Sequence, residues 1–359
     1  MKKIVVFPYH PDLKVLVEHA DMLKGYRLTG FISYKEDKKV IQSLNRALGV
    51  AEATDEQLMK SCDAIVLIDN YREFSNDKYY KIMDDAIANN KEIFITPLAE
   101  SQLDLKRYEG KYQLLQFLPA NVAGGEIKRD NASKDFLYNI TVPAIGIIGQ
   151  GKSCEKFKTQ LLMKEALEDE YKAVMVCTNA LGALFGYYTM PRFIYQVRPF
   201  KEKIIKFNHF VRDMIKAEVP DIIVIGIPEG FVPFEKYEFH HFAEYPLIVS
   251  NAVPLDFGIY CTYFMPDLEL ESNLKKSGEF CENRLSIPIS SFVISRVTFD
   301  FHEVMEKIFF DFLDDSFLDE HYPDLKNLKM LAINIRNRNE AVRLLKTTVA
   351  QLEENLRVI

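Results

Sequence analysis

The sequence predicts an α/β protein of two domains, an N-terminal Rossmann-like parallel sheet followed by a C-terminal, doubly wound sheet of P-loop NTPase type. Three observations carry this. Short apolar, β-rich runs alternate with helically spaced segments through the first part of the chain. The alternation lapses between Pro119 and Pro143, in a polar stretch that contains Gly124 and Gly125. Directly afterwards an apolar run of strand length meets a loop of small and polar residues that opens into a helical pattern. A length of 359 residues, 48% of them hydrophobic and 27% charged, suits a soluble globular chain with two cores.

In the N-terminal part, residues 4–7, 28–34, 64–69 and 92–96 read as strands, and residues 13–23, 38–48 and 77–89 as helices. Such alternation implies parallel strands covered by helices, with ligands expected beyond the C-terminal strand ends. The first strand runs into Pro8, Tyr9, His10, Pro11 and Asp12 and lacks the glycines of a dinucleotide turn, so no NAD site is expected. Asp12 reads as a helix N-cap rather than a ligand, and Asp69 and Asn70 are read the same way. The expected division is a first domain over 1–125, a linker over 126–140 and a second domain over 141–359, with 138–142 resuming as strand.

The loop after the second domain's first strand is the main functional clue, because the first N–H groups of a helix lack partners and its dipole favours an anion there. Two registers of a phosphate loop fit. In one, Gly146, Gly151, Lys152 and Ser153 satisfy G-x-x-x-x-G-K-[ST], but Ile147 and Ile148 would then be loop although they continue the apolar run. In the other, preferred because it respects strand and helix, Gly149 opens the loop, Gln150, Gly151, Lys152, Ser153 and Cys154 form it, and Lys156 and Phe157 begin the helix. Glu155 then replaces the last glycine and Phe157 the hydroxyl residue that would hold magnesium. A carboxylate at Glu155 repels phosphate unless it turns to solvent. The bland alternative is an ordinary βα turn with two glycines and two surface lysines. Cys154, a thiol at a helix N-terminus, has a position that favours reactivity, though an inert loop residue is the simpler reading.

Further along, a strand is expected over 173–178, a helix over 200–217 and a strand over 221–227 that ends in Pro228, Glu229 and Gly230. Glu229, at the end of a strand neighbouring the loop, is the candidate magnesium ligand, with a solvent-facing turn carboxylate as its alternative. His240 and His241 are adjacent, point in different directions and do not suit one metal. Residues 246–252 read as another strand, which places Asn251 where a side-chain amide could read a base. A helix over 267–276, a strand within 287–299, an amphipathic helix over 302–313 ending among Asp311, Asp314, Asp315, Asp319 and Glu320, a strand over 329–335 and a helix over 340–356 complete the expectation.

The net charge of −7, without any sustained Lys/Arg block, argues against nucleic acid and anionic membranes as partners. No stretch approaches the roughly 18 apolar residues of a membrane helix, and the charged start on a strand does not resemble a signal peptide, so a cytoplasmic protein is expected. The five cysteines are scattered, with no C-x-x-C pair and no disulfide framework.

Through the loop at Gly149, the extra residue before Lys156, the Pro228-Glu229-Gly230 strand end and Asn251, the second domain resembles the P-loop fold of dethiobiotin synthetase and its relatives. That resemblance implies a base contact at Asn251 and magnesium at Glu229. In length and domain order the whole chain resembles the clostridial peptide maturation system proteins of ribosomal peptide natural-product clusters. The resemblance implies a nucleotide-binding accessory factor, using ATP or GTP with Mg2+, in peptide maturation. Two alternatives stand beside it. One is a degenerate loop in a module that docks a precursor peptide or a maturation enzyme, and the other an ATP-dependent ligase or carboxylase. The apolar face of the last helix would pack equally well on the sheet or on a second copy in a homodimer.

Overall fold

The structure, a computed structural model, describes all residues except 11, 51, 71–73, 120–135, 232–239, 266–268, 303–306, 323–324 and 357–359. The chain forms two compact units: Met1–Phe117 with Ala180–Val197, and Leu118–Asn179 with Arg198–Ile359. The return of residues 180–197 to the first unit was not expected from sequence. Of the linker placed at 126–140, residues 126–135 lie outside the described residues.

In the first unit the elements are β1 (Lys2–Phe7), α1 (Leu13–Glu18), β2 (Tyr26–Phe31), α2 (Lys38–Ala47), α3 (Asp55–Ser61), β3 (Ala64–Leu67), α4 (Asp77–Ala88), β4 (Glu92–Ile95), α5 (Pro97–Gln102) and β5 (Gln113–Leu114). The sheet order is β2-β1-β3-β4-β5, every pair parallel. The strands are near-continuous apolar runs because a parallel sheet is covered on both faces. Thr54 caps α3 with a reciprocal capping box to Gln57. The returning stretch carries a two-residue strand, Tyr188–Thr189, whose Thr189 N–H donates to Phe117 O at 3.1 Å.

The second unit runs through β6 (Ala144–Gly149), α6 (Lys156–Leu167), β7 (Ala173–Cys177), then, numbering Tyr188–Thr189 as β8, α7 (Phe200–Glu218), β9 (Ile222–Gly226), α8 (Glu244–Ala252), β10 (Phe257–Thr262), α9 (Leu270–Leu285), β11 (Ile289–Ile294), β12 (Val297–His302), β13 (Lys307–Phe312), α10 (Asp315–His321), β14 (Ala332–Asn334) and α11 (Arg338–Leu356). Within it the strand order is β14-β11-β10-β6-β9-β7, with parallel pairing throughout. β6 is central, flanked by two strands that come later in the chain, so the crevice beyond its C-terminal end is a topological switch point.

Three expected elements differ. Residues 246–252 are helical, not a strand: Tyr245, Ile248, Val249 and Ala252 are buried at helical spacing, and Pro246 is tolerated in the first turn. Where a helix was expected over 302–313, His302 and Lys307–Phe312 are strand, and residues 303–306 lie outside the described residues. β13 pairs antiparallel with β12, setting Phe310 opposite Phe299, and both rings pack on Tyr263. Residues 138–142 are not strand either, because the main chain of Tyr138 bonds instead to the Asn208 side chain, at 2.7 and 2.9 Å.

Candidate functional site

The loop between β6 and α6 is compact, and its turns come from residues held in the left-handed region: Ser153 and Glu155 both have φ of 57°. Gly149 is required where it stands, since a Cβ there would run into Cys154 Sγ and lie 2.8 Å from Lys156 Cδ. Gly146 sits inside β6, paired with Gly258 and Ile225, so the register that starts a loop there would begin within the strand.

Lys156, at the first turn of α6, folds back into the loop. Its side chain is 5% exposed, and Nζ donates to Gly151 O and to Glu229 O, the latter at 2.6 Å. Cys154 Sγ lies 3.7 Å from the same ammonium and hydrogen bonds to Gly151 O at 3.2 Å. Cys154 is fully buried, which removes the access that a reactive thiol needs. Ser153 Oγ is buried and has no hydrogen-bond partner among the described residues.

Two neighbouring strands complete the enclosure. From β9, the turn at Pro228, Glu229 and Gly230 lies on the loop so closely that a Cβ on Gly230 would overlap Gln150 O and sit 2.7 Å from Gly151 Cα. Glu229 is itself left-handed, at φ 54°. Its carboxylate is near α8, where burial first and the Glu229 charge second push the Tyr245 pKa up. From β10, Cys261 O accepts Gln150 N–H at 2.8 Å, and Gln150 Oε1 accepts Thr262 Oγ1 at 2.6 Å and Tyr263 N–H at 3.2 Å. The Tyr263 hydroxyl donates to Lys152 O.

Glu155 does not turn to solvent, which was the condition stated for a phosphate site. Its carboxylate is 1% exposed and held by Arg296, which follows β11: the main-chain N–H donates to Oε2 at 2.7 Å, and Nε and Nη2 donate to Oε1 at 2.9 and 2.5 Å. The charge next to the loop is thereby neutralised by a buried, multiply bonded partner. Arg296 carries no sequence motif and was missed. Its only signal was an arginine two residues past an apolar strand.

Other expected residues are not brought to the loop by these contacts. Asn251 lies on α8 rather than at a strand end, is exposed, and donates to Leu247 O at 2.7 Å within its own helix. The strand that was to aim it at a base does not exist. Phe157 is completely buried in the core and offers no oxygen. Among the described residues no cluster of three or more His, Cys, Asp or Glu side chains suits a metal ion. His240 and His241 fall in a short 3-10 turn (His240–Ala243). Of the acidic cluster, Asp315 and Asp319 pair with Arg336, at 3.7 and 2.5 Å. In the first unit, Asp12 is at the N-cap of α1 without a side-chain capping bond, and its N–H donates to His10 Nδ1 at 3.1 Å, while His10 Nε2 lies 3.6 Å from Asp69 Oδ2. Asn70 closes its own loop through both main-chain groups of Phe74.

No helix among the described residues is long and apolar enough to cross a membrane. No family model and no curated protein matches the chain. Among solved structures, a DUF1611 family protein from Anabaena variabilis is similar with a TM-score of 0.58 at 10% identity, covering 98% of this chain and 100% of that one. A GTPase in apo form from Pyrococcus abyssi is more distant, with a TM-score of 0.34 at 13% identity over 59% of this chain and 97% of that one. Chloroplast FtsY from Physcomitrella patens has a TM-score of 0.28 at 13% identity over 87% and 95%. The likeness to the first extends over both units and shows a shared two-domain α/β fold.

Proposed function

We propose that the second unit binds a nucleoside triphosphate, ATP or GTP, with its phosphates in the loop formed by residues 149–155. One observation carries the reading: a buried ammonium, Lys156, whose partners among the described residues are two main-chain carbonyls and the Cys154 sulfur, with no carboxylate among them. A buried cation without a counter-charge is costly, and an anion in the loop relieves that cost. The unpartnered Ser153 Oγ and the main-chain N–H groups leading into α6 would add donors. Gly151, Lys152 and Cys154 would contribute backbone and Gly149 the space for it, while Gln150, whose N–H donates to Cys261 O, would hold the loop in place.

Magnesium, when bound, would supply positive charge to neutralise the phosphates. Glu229 is the residue proposed to hold it, Phe157 supplying no hydroxyl. That lack favours binding with slow turnover or none. The place of the binding step, assistance in maturing a ribosomally made peptide, has its support in the sequence resemblance alone.

The test is calorimetry with ATP and GTP, with and without magnesium. Lys156→Ala is expected to abolish binding and Lys152→Ala only to weaken it. Equal losses, or no binding by the parent protein, would refute the assignment.

A further inference from the structure

Beside the loop, on the β10 side, lies a cavity of about 450 Å³ that the nucleotide reading does not use. Its walls come from Gln150 of the loop, from Thr262 and Tyr263 at the end of β10, and from one face of α9, where Asn273, Lys276, Ser277 and Phe280 follow each other at helical spacing. Tyr260, Leu274 and Phe299 make the remainder largely apolar and aromatic. This size and this balance of apolar wall with few polar groups are those of a small-molecule site.

We propose that this cavity takes a small amphipathic carboxylate, with an aromatic or branched aliphatic body, as a second ligand alongside the nucleotide. Among the described residues Lys276 is the only charged side chain in the lining, and its ammonium calls for a negatively charged group on the ligand. A lone, exposed lysine among apolar walls suits a monocarboxylate, whereas a polyphosphate needs the multiple donors of the loop. The aromatic rings of Tyr260, Phe280 and Phe299 give the body its contact area. Thr262 Oγ1 already satisfies Gln150 Oε1, so the shared wall is polar but internally paired and does not select a second charge there. Because Gln150 belongs to both the loop and the cavity, the ligand's body would lie beside the phosphate site, with its carboxylate on Lys276. The role as a second ligand rests on the nucleotide reading, while the cavity's own preference does not.

The experiment uses the full chain with 3-phenylpropionate and its neutral amide as probes, followed by calorimetry and by ligand-observed NMR. The acid is expected to bind at least five-fold more tightly than the amide. Lys276→Gln, at an exposed position that leaves the core alone, should erase this preference. Asn273→Phe should fill the cavity and remove acid binding while nucleotide binding persists. Equal binding of acid and amide, an unchanged preference in Lys276→Gln, or no binding of either probe at millimolar concentration would overturn the proposal. Acid binding without nucleotide binding would leave the cavity assigned and sink the phosphate-loop reading. Nucleotide binding without acid binding would do the reverse.

Discussion

Glu155 occupies a left-handed position at the N-cap of α6, where a glycine would be unstrained and uncharged. Its carboxylate is kept from the loop by Arg296, and both side chains are almost wholly buried. Removing one partner from such a pair leaves an uncompensated buried charge, a loss of about 3–5 kcal/mol. Arg296→Met should therefore destabilise the protein strongly and weaken nucleotide binding. Adding Glu155→Gly to it should recover much of both, since the double variant has neither the orphaned charge nor the left-handed penalty. Urea unfolding and calorimetry on the parent, Arg296→Met and the double variant measure this, and a double variant no better than Arg296→Met would mean that the arginine acts through packing alone. Sequence indicated the liability at Glu155 but not its remedy, because the two residues are far apart in the chain and meet only through the parallel crossover from β10 to β11.

At the scale of elements, α6 is the hinge between fold and site. It is buried on nearly every side, and Gln160 in its second turn bridges Val176 O at 2.9 Å and Thr178 N–H at 2.8 Å, at the end of β7. Gly226, the last residue of β9, leaves room for that amide, since a Cβ there would overlap Gln160 Oε1 and lie 2.6 Å from Nε2. Gly226→Ala is expected to cost about 1–3 kcal/mol by overpacking and by displacing both bonds, read as a lower urea midpoint. An unchanged midpoint would show that Gln160 has another rotamer available. The strands and most helices were legible because burial on both faces of a parallel sheet writes continuous apolar runs. α8 was not. Its short apolar run fits strand and helix alike, and only the burial of its neighbours separates them. β13 failed for the opposite reason, an aromatic pattern that mimics helical spacing until Tyr263 pairs the Phe299 and Phe310 rings across the hairpin.

For the molecule as a whole, the five cysteines are free and buried. Burial raises the thiol pKa values of Cys62, Cys177 and Cys261, and that of Cys281 to about 12. Thiol chemistry needs an accessible thiolate, so the native protein should react with a disulfide reagent at neutral pH far more slowly than the denatured chain, which should titrate five thiols. A rapid equivalent in the native state would identify an opened loop at Cys154. What the sequence determined by itself was the class and order of the two α/β parts, and the succession of strand, loop and helix at residues 144–167, because hydrophobic period and glycine placement are local properties. Only the tertiary structure decided that Lys156 is the lysine folded into the loop, that Arg296 neutralises Glu155, that Gly230 closes on Gln150 and that Asn251 stands on a helix. Each of these depends on which distant strands become neighbours, and strand order is set by the packing of whole layers rather than by any residue's local preference.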